Sequence, residues 1–454
     1  MKNYDLIVLG SGPGGYVAAI KAAQKGLSTA IIEKESIGGV CLNWGCIPTK
    51  TLLKSAKLYT TIQHAKDYAL TVDQDTLSVD FNALLKRKNK IVKKLTGGVG
   101  YLLKKNGVTV YRGFGEVIDQ NTIQVNDEKL TFKNLIIATG ASPIIPPIDK
   151  LQEAYQSGRV VTSKEILDLD TQPKKLAIIG GGVIGVEFAT IYNSFGTEVT
   201  IYEREENILL GVDQEIRTLF RKKLEKDGVK IHTSTEVQAI TDSGVKTALG
   251  EENADLILLS VGMKANVKGL EKLDLTLTET QAIQTDQYMK TNLENIFAIG
   301  DVNGNQMLAH VASKEGLVAV DTILGEDHPM DYKKVPSGIY TFPEIAQVGV
   351  TEEEAKAQGI DYKVSTFPLS ANGKALAEGE TDGLVKMIAD TKYQEIIGVH
   401  ILAQNATEMI SEAVLGMNLE ATALDYVLSI HPHPTLSEMI HEVAHGIVDK
   451  AIHI

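Results

Sequence analysis

The sequence predicts an α/β fold, made of two copies of one βαβ pattern followed by a C-terminal α+β region with a different rhythm. The first copy, YDLIVLGSGPGGYVAAIKAAQKGLSTAIIEK, runs from Tyr4 to Lys34, and the second, KLAIIGGGVIGVEFATIYNSFGTEVTIYER, from Lys175 to Arg204. Each opens with an apolar strand, turns through glycines, continues as an Ala-rich or apolar helix and closes on a strand ending in Glu. The interval from first turn glycine to that Glu is the same in both, Gly10 to Glu33 and Gly180 to Glu203. Beyond VPSGIYTFPEIAQVGV the glycine turns stop, and strands alternate with helices through to Ile454.

The remaining elements fall between these landmarks. A long polar helical stretch is expected from about Thr49 to Lys105, and short strands from Val108 to Ile137. The second strand system closes at DLILLSVG, residues 255–262. A linking segment then carries NIFAIGDV, residues 295–302, before a helix starting near His310. With 454 residues the chain should form about three domains. The expected division is 1–145, 146–264, a central segment 265–334, and 335–454.

Composition narrows the function classes. With 43% hydrophobic and 23% charged residues and no apolar run long enough to span a bilayer, a membrane-spanning chain is not expected. A formal net charge of −13 opposes binding to nucleic-acid phosphates. MKNYD leads directly into the first strand with no room for a secretory leader, so a cytoplasmic protein is expected unless a presequence has been removed. The 2 cysteines are too few for a disulfide framework or a zinc site, and no metal is expected. A close-set pair in such a protein invites a redox reading instead.

The glycine turns predict ligands. In Gly10-Ser-Gly12-Pro-Gly14-Gly15 the first glycine allows a tight turn and the second lets a pyrophosphate approach the backbone. The third lets helix pack on strand, and the helix N-terminus offers free N–H donors to phosphate. Glu33 stands where an adenosine ribose would need an acceptor. Gly180-Gly-Gly182-Val183-Ile184-Gly185 repeats the pattern and Glu203 repeats Glu33, so both units read as Rossmann-like dinucleotide-binding domains. An acidic residue there favours the free 2′-hydroxyl of NAD over the phosphate of NADP, although Arg204 and Arg221 pull the other way.

The cysteines lie in GGVCLNWGCIPTK, just after the first unit. If a helix begins over Cys41 to Cys46, the sulfurs lie about one and a half turns apart, and a bridge needs some distortion of the first turn. A helix N-terminus would also stabilise thiolate. Two inert buried cysteines are the alternative. Far downstream, His431-Pro-His433-Pro-Thr-Leu-Ser-Glu438 offers an imidazole that titrates in the range a dithiol reaction needs, with a carboxylate placed to orient it.

GGVCLNWGCIPTK resembles the redox-disulfide signature of the pyridine nucleotide disulfide oxidoreductases, and the whole order of motifs covers essentially the entire chain. That resemblance implies a flavoenzyme that passes electrons from a dithiol of the dihydrolipoamide type through a Cys41–Cys46 disulfide and FAD to NAD. It assigns the base to His433, oriented by Glu438, with His431 a neighbour. It places Gly10, Gly12, Gly14, Gly15, Glu33, Lys34, Gly39, Val40, Cys41, Lys50, Gly115, Thr139, Gly140 and Ala141 on FAD, with Asp301 near the ribitol and pyrophosphate and Met307, Leu308, Ala309 and His310 along the flavin. NAD would be met by Gly180, Gly182, Val183, Ile184, Gly185, Glu187, Glu203, Val237 and Gly262, with Lys50 and Glu187 forming an ion pair beside the flavin. Taken singly, these positions could be ordinary strand-end turns or solvated side chains.

The resemblance further implies a homodimer, in which the C-terminal dimerisation domain offers its His to the other subunit's flavin. Expected partners are lipoyl domains and the acyltransferase core of a 2-oxo acid dehydrogenase complex. Two alternatives stand beside this reading: a glutathione-reductase-like enzyme, and a subunit serving chiefly for docking. Gly185 and Glu203 argue against the first.

Overall fold

The computed structural model describes residues 1–454. The first βαβ unit builds a 7-stranded sheet. Its parallel part runs Thr109–Arg112, Thr29–Glu33, Lys2–Leu9 and Glu128–Ile137, and Ile296–Ala298 pairs in parallel with the end of the last. The segment expected to be a linker thus returns a strand to the first sheet. All five residues of Thr29–Glu33 are buried, as expected of a strand covered on both faces. One face packs on the helices Pro13–Gln24, Phe81–Lys105 and Ala309–Ile323 through a cluster containing Leu6, Val8, Ala18, Leu103 and Val318.

The second unit forms a 5-stranded parallel sheet in the order Lys230–His232, Glu198–Tyr202, Lys175–Ile179, Leu256–Leu259, Val160–Val161. A small antiparallel sheet, residues 237–253, lies beside it, and Ala141–Pro143 pairs with Met263–Ala265 between the two units. The C-terminal part is a 5-stranded antiparallel sheet over residues 337–403 packed against Ala406–Asn418 and Glu438–Val448. Its core is a separate cluster of 25 buried residues, centred on side chains such as Met387, Val399 and Ile440.

Two helical expectations are corrected. The stretch from Thr49 to Lys105 is two helices, Cys46–Gln63 and Phe81–Lys105, separated by short turns. Asp80 starts the second by accepting from the Ala83 N–H, a side-chain cap that a continuous helix would have no use for. Nor do Cys41 and Cys46 share one helix. Gly39–Trp44 ends at Gly45, whose φ of −139° and ψ of −115° lie outside helical space, and Cys46 opens the next helix. No helix is long and apolar enough to cross a membrane.

Candidate active site

A single cleft of about 2020 Å³ runs between the two βαβ units, at the carboxyl ends of their parallel strands. Every residue expected on FAD lines it, as do Cys46 and all of those expected on NAD except Gly185. Gly185 has a packing role: a Cβ there would lie 2.1 Å from the Gly180 carbonyl oxygen, so this glycine serves the packing of helix on turn. Gly15 does the same in the first unit, where the corresponding distance is 2.0 Å.

The turns fit dinucleotides on their own geometry. Gly10 and Gly180 both sit at φ +107°, which side-chain-bearing residues rarely adopt. Gly12 and Gly182 precede helices that have no side-chain cap, and a Cβ on either would meet nothing within 4 Å. Each therefore leaves free N–H donors facing open space, the arrangement that receives phosphate. The acidic partners are built into these turns: Glu33 accepts from the Ser11 N–H and hydroxyl at 3.0 and 2.6 Å, and Glu203 from the Gly181 N–H at 2.7 Å.

Asp301 lines the cleft with no side-chain hydrogen bond to another residue, and burial holds its carboxyl above the ordinary range. A carboxyl desolvated in this way suits a ligand that brings hydroxyl groups. Behind it, fully buried Glu315 accepts from the Gly300 N–H and the Tyr332 hydroxyl, which fixes the turn that carries Asp301. Sequence reasoning passed over Glu315, although an acid on the apolar face of AHVASKEGLVAVDTI is a readable signal. It also passed over Ser11 and Tyr340, whose roles depend on contacts distant in sequence.

Cys41 and Cys46, expected from the sequence to form a disulfide, are both part-buried and line the cleft. They share a hydrogen bond across the helix break. That bond pushes the Cys41 thiol up, with burial adding to it, and holds Cys46 below the ordinary thiol range, assisted by the charge on Lys50. The two thiols titrate as a pair, and the Lys50 charge favours loss of its first proton. Lys50 meets both carboxylate oxygens of Glu187, at 2.8 and 2.9 Å, and stands 4.6 Å from the centre of the Tyr340 ring. Glu187 also accepts from the Tyr340 N–H at 3.0 Å. The ion pair expected here is present. Glu187 itself lines the cleft beside Lys50.

His433 and Glu438 do not line the cleft. The His433 ring is 79% exposed, and its Nδ1 lies 2.9 Å from Glu438 Oε1. Glu438 also accepts from the Thr435 N–H at 2.7 Å. Burial pushes its carboxyl up, but these two hydrogen bonds outweigh it and hold the carboxyl below the usual range. With its folded pKa depressed, Glu438 contributes stability above the ordinary carboxylate pKa, and that contribution is lost only as pH falls through the lower folded value. His431, the neighbour, is turned inward to Glu412 at 2.7 Å and is only 8% exposed. Of the two histidines, His433 is the one free to meet another molecule.

Residues 4–316 match the family described as pyridine nucleotide-disulphide oxidoreductase, and residues 335–444 match that family's dimerisation domain. The chain belongs to this family. As a pyridine nucleotide-disulphide oxidoreductase it uses FAD and NAD(H), which agrees with the two glycine cradles flanking the thiols. Among its relatives, dihydrolipoyl dehydrogenase of Bacillus subtilis is 42% identical over 99% of this chain and 97% of its own. Dihydrolipoyl dehydrogenase of Mycoplasma genitalium is 42% identical over 97% and 98%. Among solved structures, LpdA from Mycobacterium tuberculosis superposes with a TM-score of 0.90 at 26% identity, covering 98% of this chain and 99% of that one. The HOCl-induced flavoprotein disulfide reductase RclA from Escherichia coli, as its Cu(II) complex, gives 0.89 at 28% identity, covering 98% and 100%.

Proposed function

We propose that this oxidoreductase is a dihydrolipoyl dehydrogenase, oxidising protein-bound dihydrolipoamide with NAD+ as the final acceptor. The observation that carries this reading is the pair of thiols at the junction of two dinucleotide cradles, with the Lys50 cation beside them. The names of relatives at 42% identity over nearly the full chain support the same substrate.

A substrate thiolate attacks Cys41 Sγ, and the Cys41–Cys46 bond breaks with Cys46 leaving as thiolate. Departure is eased by the Lys50 charge, one of the contributions that lower its pKa. The second substrate thiol gives its proton to an imidazole, attacks the mixed disulfide and releases Cys41, leaving the substrate as a cyclic disulfide. FAD, when bound, supplies the two-electron acceptor between the thiols and NAD+. The imidazole is His433, aligned by Glu438. Because that ring stands outside the cleft of its own chain, it serves the cleft of a second copy in a homodimer. The matched dimerisation domain supports this arrangement. Residues 1–145, 146–264, 265–334 and 335–454 then act as FAD, NAD, central and interface segments. The enzyme is assigned to the cytoplasm, working with lipoyl domains and the acyltransferase core of a 2-oxo acid dehydrogenase complex.

The test is an anaerobic titration of the purified protein with NADH, followed by absorbance, and then assay against lipoamide and glutathione disulfide. Flavin reduction by NADH and turnover of lipoamide are expected, and Cys41→Ser should abolish the turnover. Absent flavin, preference for glutathione disulfide with NADPH, or undiminished lipoamide reduction in Cys41→Ser would each overturn the reading.

A further inference from the structure

One contact across the cleft belongs to neither the thiol chemistry nor the glycine turns. Lys164 follows the strand Val160–Val161 of the second unit, and its Nζ lies 4.2 Å from the centre of the Trp44 ring while pairing with Glu35. Trp44 ends the helix that carries Cys41, and its side chain packs against the cluster containing Val186 and Phe188 of the second unit. Glu35 lies two residues beyond Glu33, and its N–H donates to the Glu33 carboxylate at 2.7 Å. Lys164 is presented from a fixed loop, because Glu165 accepts from the Thr162 N–H and hydroxyl at 2.8 and 2.6 Å. Trp44, Glu35 and Lys164 all line the cleft, so one cation ties the second unit to both the ribose-side turn and the redox helix of the first.

We propose that Lys164 is a positioning residue for FAD retention: by holding Glu35 and Trp44 together it closes the second unit over the adenosine half of FAD, and flavin leaves only when this clasp opens. The inference rests on the FAD reading above. Its two contacts differ in kind. The ion pair is about half exposed on both sides and is weakened by salt, whereas the contact with the indole face depends on the cation being held in place. Release of FAD should therefore accelerate with ionic strength. Trp44 is the only tryptophan in the chain, so its emission reports the clasp directly.

The experiment compares wild-type holoenzyme with K164M and K164R. Each is diluted into low and high salt, and the rise of flavin fluorescence on release is followed together with Trp44 emission. Wild type should release FAD faster at high salt. K164M should release it about 3- to 10-fold faster at low salt, with little further response to salt and with altered Trp44 emission. K164R, which keeps a cation able to pair with carboxylate and stack on indole, should restore wild-type behaviour. A K164M protein with the wild-type release rate and salt response overturns the proposal, as does failure of K164R to restore either. Wild-type protein holding no flavin would overturn the FAD reading itself, a result distinct from flavin held with unchanged release.

Discussion

The two glycine turns share their backbone and differ in what stands over them. Both begin at φ +107° and both press a helix onto the turn through a glycine that admits no Cβ. In the first unit the helix Ala309–Ile323 packs directly on the cradle: a Cβ at Gly14 would lie 2.8 Å from the Ala312 carbonyl oxygen, and one at Gly316 would lie 2.7 Å from that of Gly14. In the second unit Ile184 occupies the place of Gly14, and Val183 beside it is 44% exposed. The acids differ in the same sense, since Glu33 is 7% exposed and takes two hydrogen bonds from Ser11, while Glu203 is only part-buried. One local pattern thus makes a walled site and an open one. A walled site suits a resident cofactor, and an open site suits one that must come and go each turnover.

The sharpest way to break this contrast is to exchange the residues that set it. Gly14→Ile should lower FAD affinity by about 10- to 100-fold, because the side chain must displace backbone of a packed helix. Ile184→Gly should leave flavin content unchanged; equal flavin loss in the two variants, measured by absorbance of the purified proteins, would remove the distinction. A smaller effect is expected at the acids. Glu203→Gln should raise KM for NAD about tenfold with flavin retained, through loss of a charged acceptor. Glu33→Gln should lower flavin content with KM for NAD unchanged in the molecules that keep it. The smallest effect concerns Lys50, which stands between the sites. Its charge helps hold Cys46 below the ordinary thiol range, so thiolate persists to lower pH than a free cysteine would allow. Lys50→Gln removes that contribution, and the rising limb of kcat against pH should move to higher pH with a few-fold loss at neutrality. An unmoved limb would assign the acidity of Cys46 to the Cys41 hydrogen bond alone.

Legibility in the sequence followed how local each constraint is. Gly10, Gly15, Gly180 and Gly185 were readable because a tight turn and a close helix leave no room for anything else within a few residues. The cysteines were readable as a pair, but the break between them was not. Gly45 departs from helical space while Asn43 donates to the Ile37 and Gly39 carbonyls, a local arrangement with no periodic signature. Glu315 acts through a partner 17 residues away and Lys164 and Tyr340 through partners 129 and 153 away, and nothing in spacing announces such contacts. Glu187 shows the intermediate case: resemblance paired it with Lys50, yet only the structure shows that it also accepts from the Tyr340 N–H.

The outward position of His433 carries a genetic consequence. On the proposed reading each subunit lends its imidazole to its neighbour and borrows one in return. A defect at Cys41 then spoils the cleft of the chain that carries it, and a defect at His433 spoils its neighbour's. When both defects sit in one subunit of a mixed dimer, neither cleft is whole; when they are divided between the two, one cleft remains complete. Two alleles that are each inactive alone can therefore complement one another, while a doubly altered allele silences the normal chain with which it assembles.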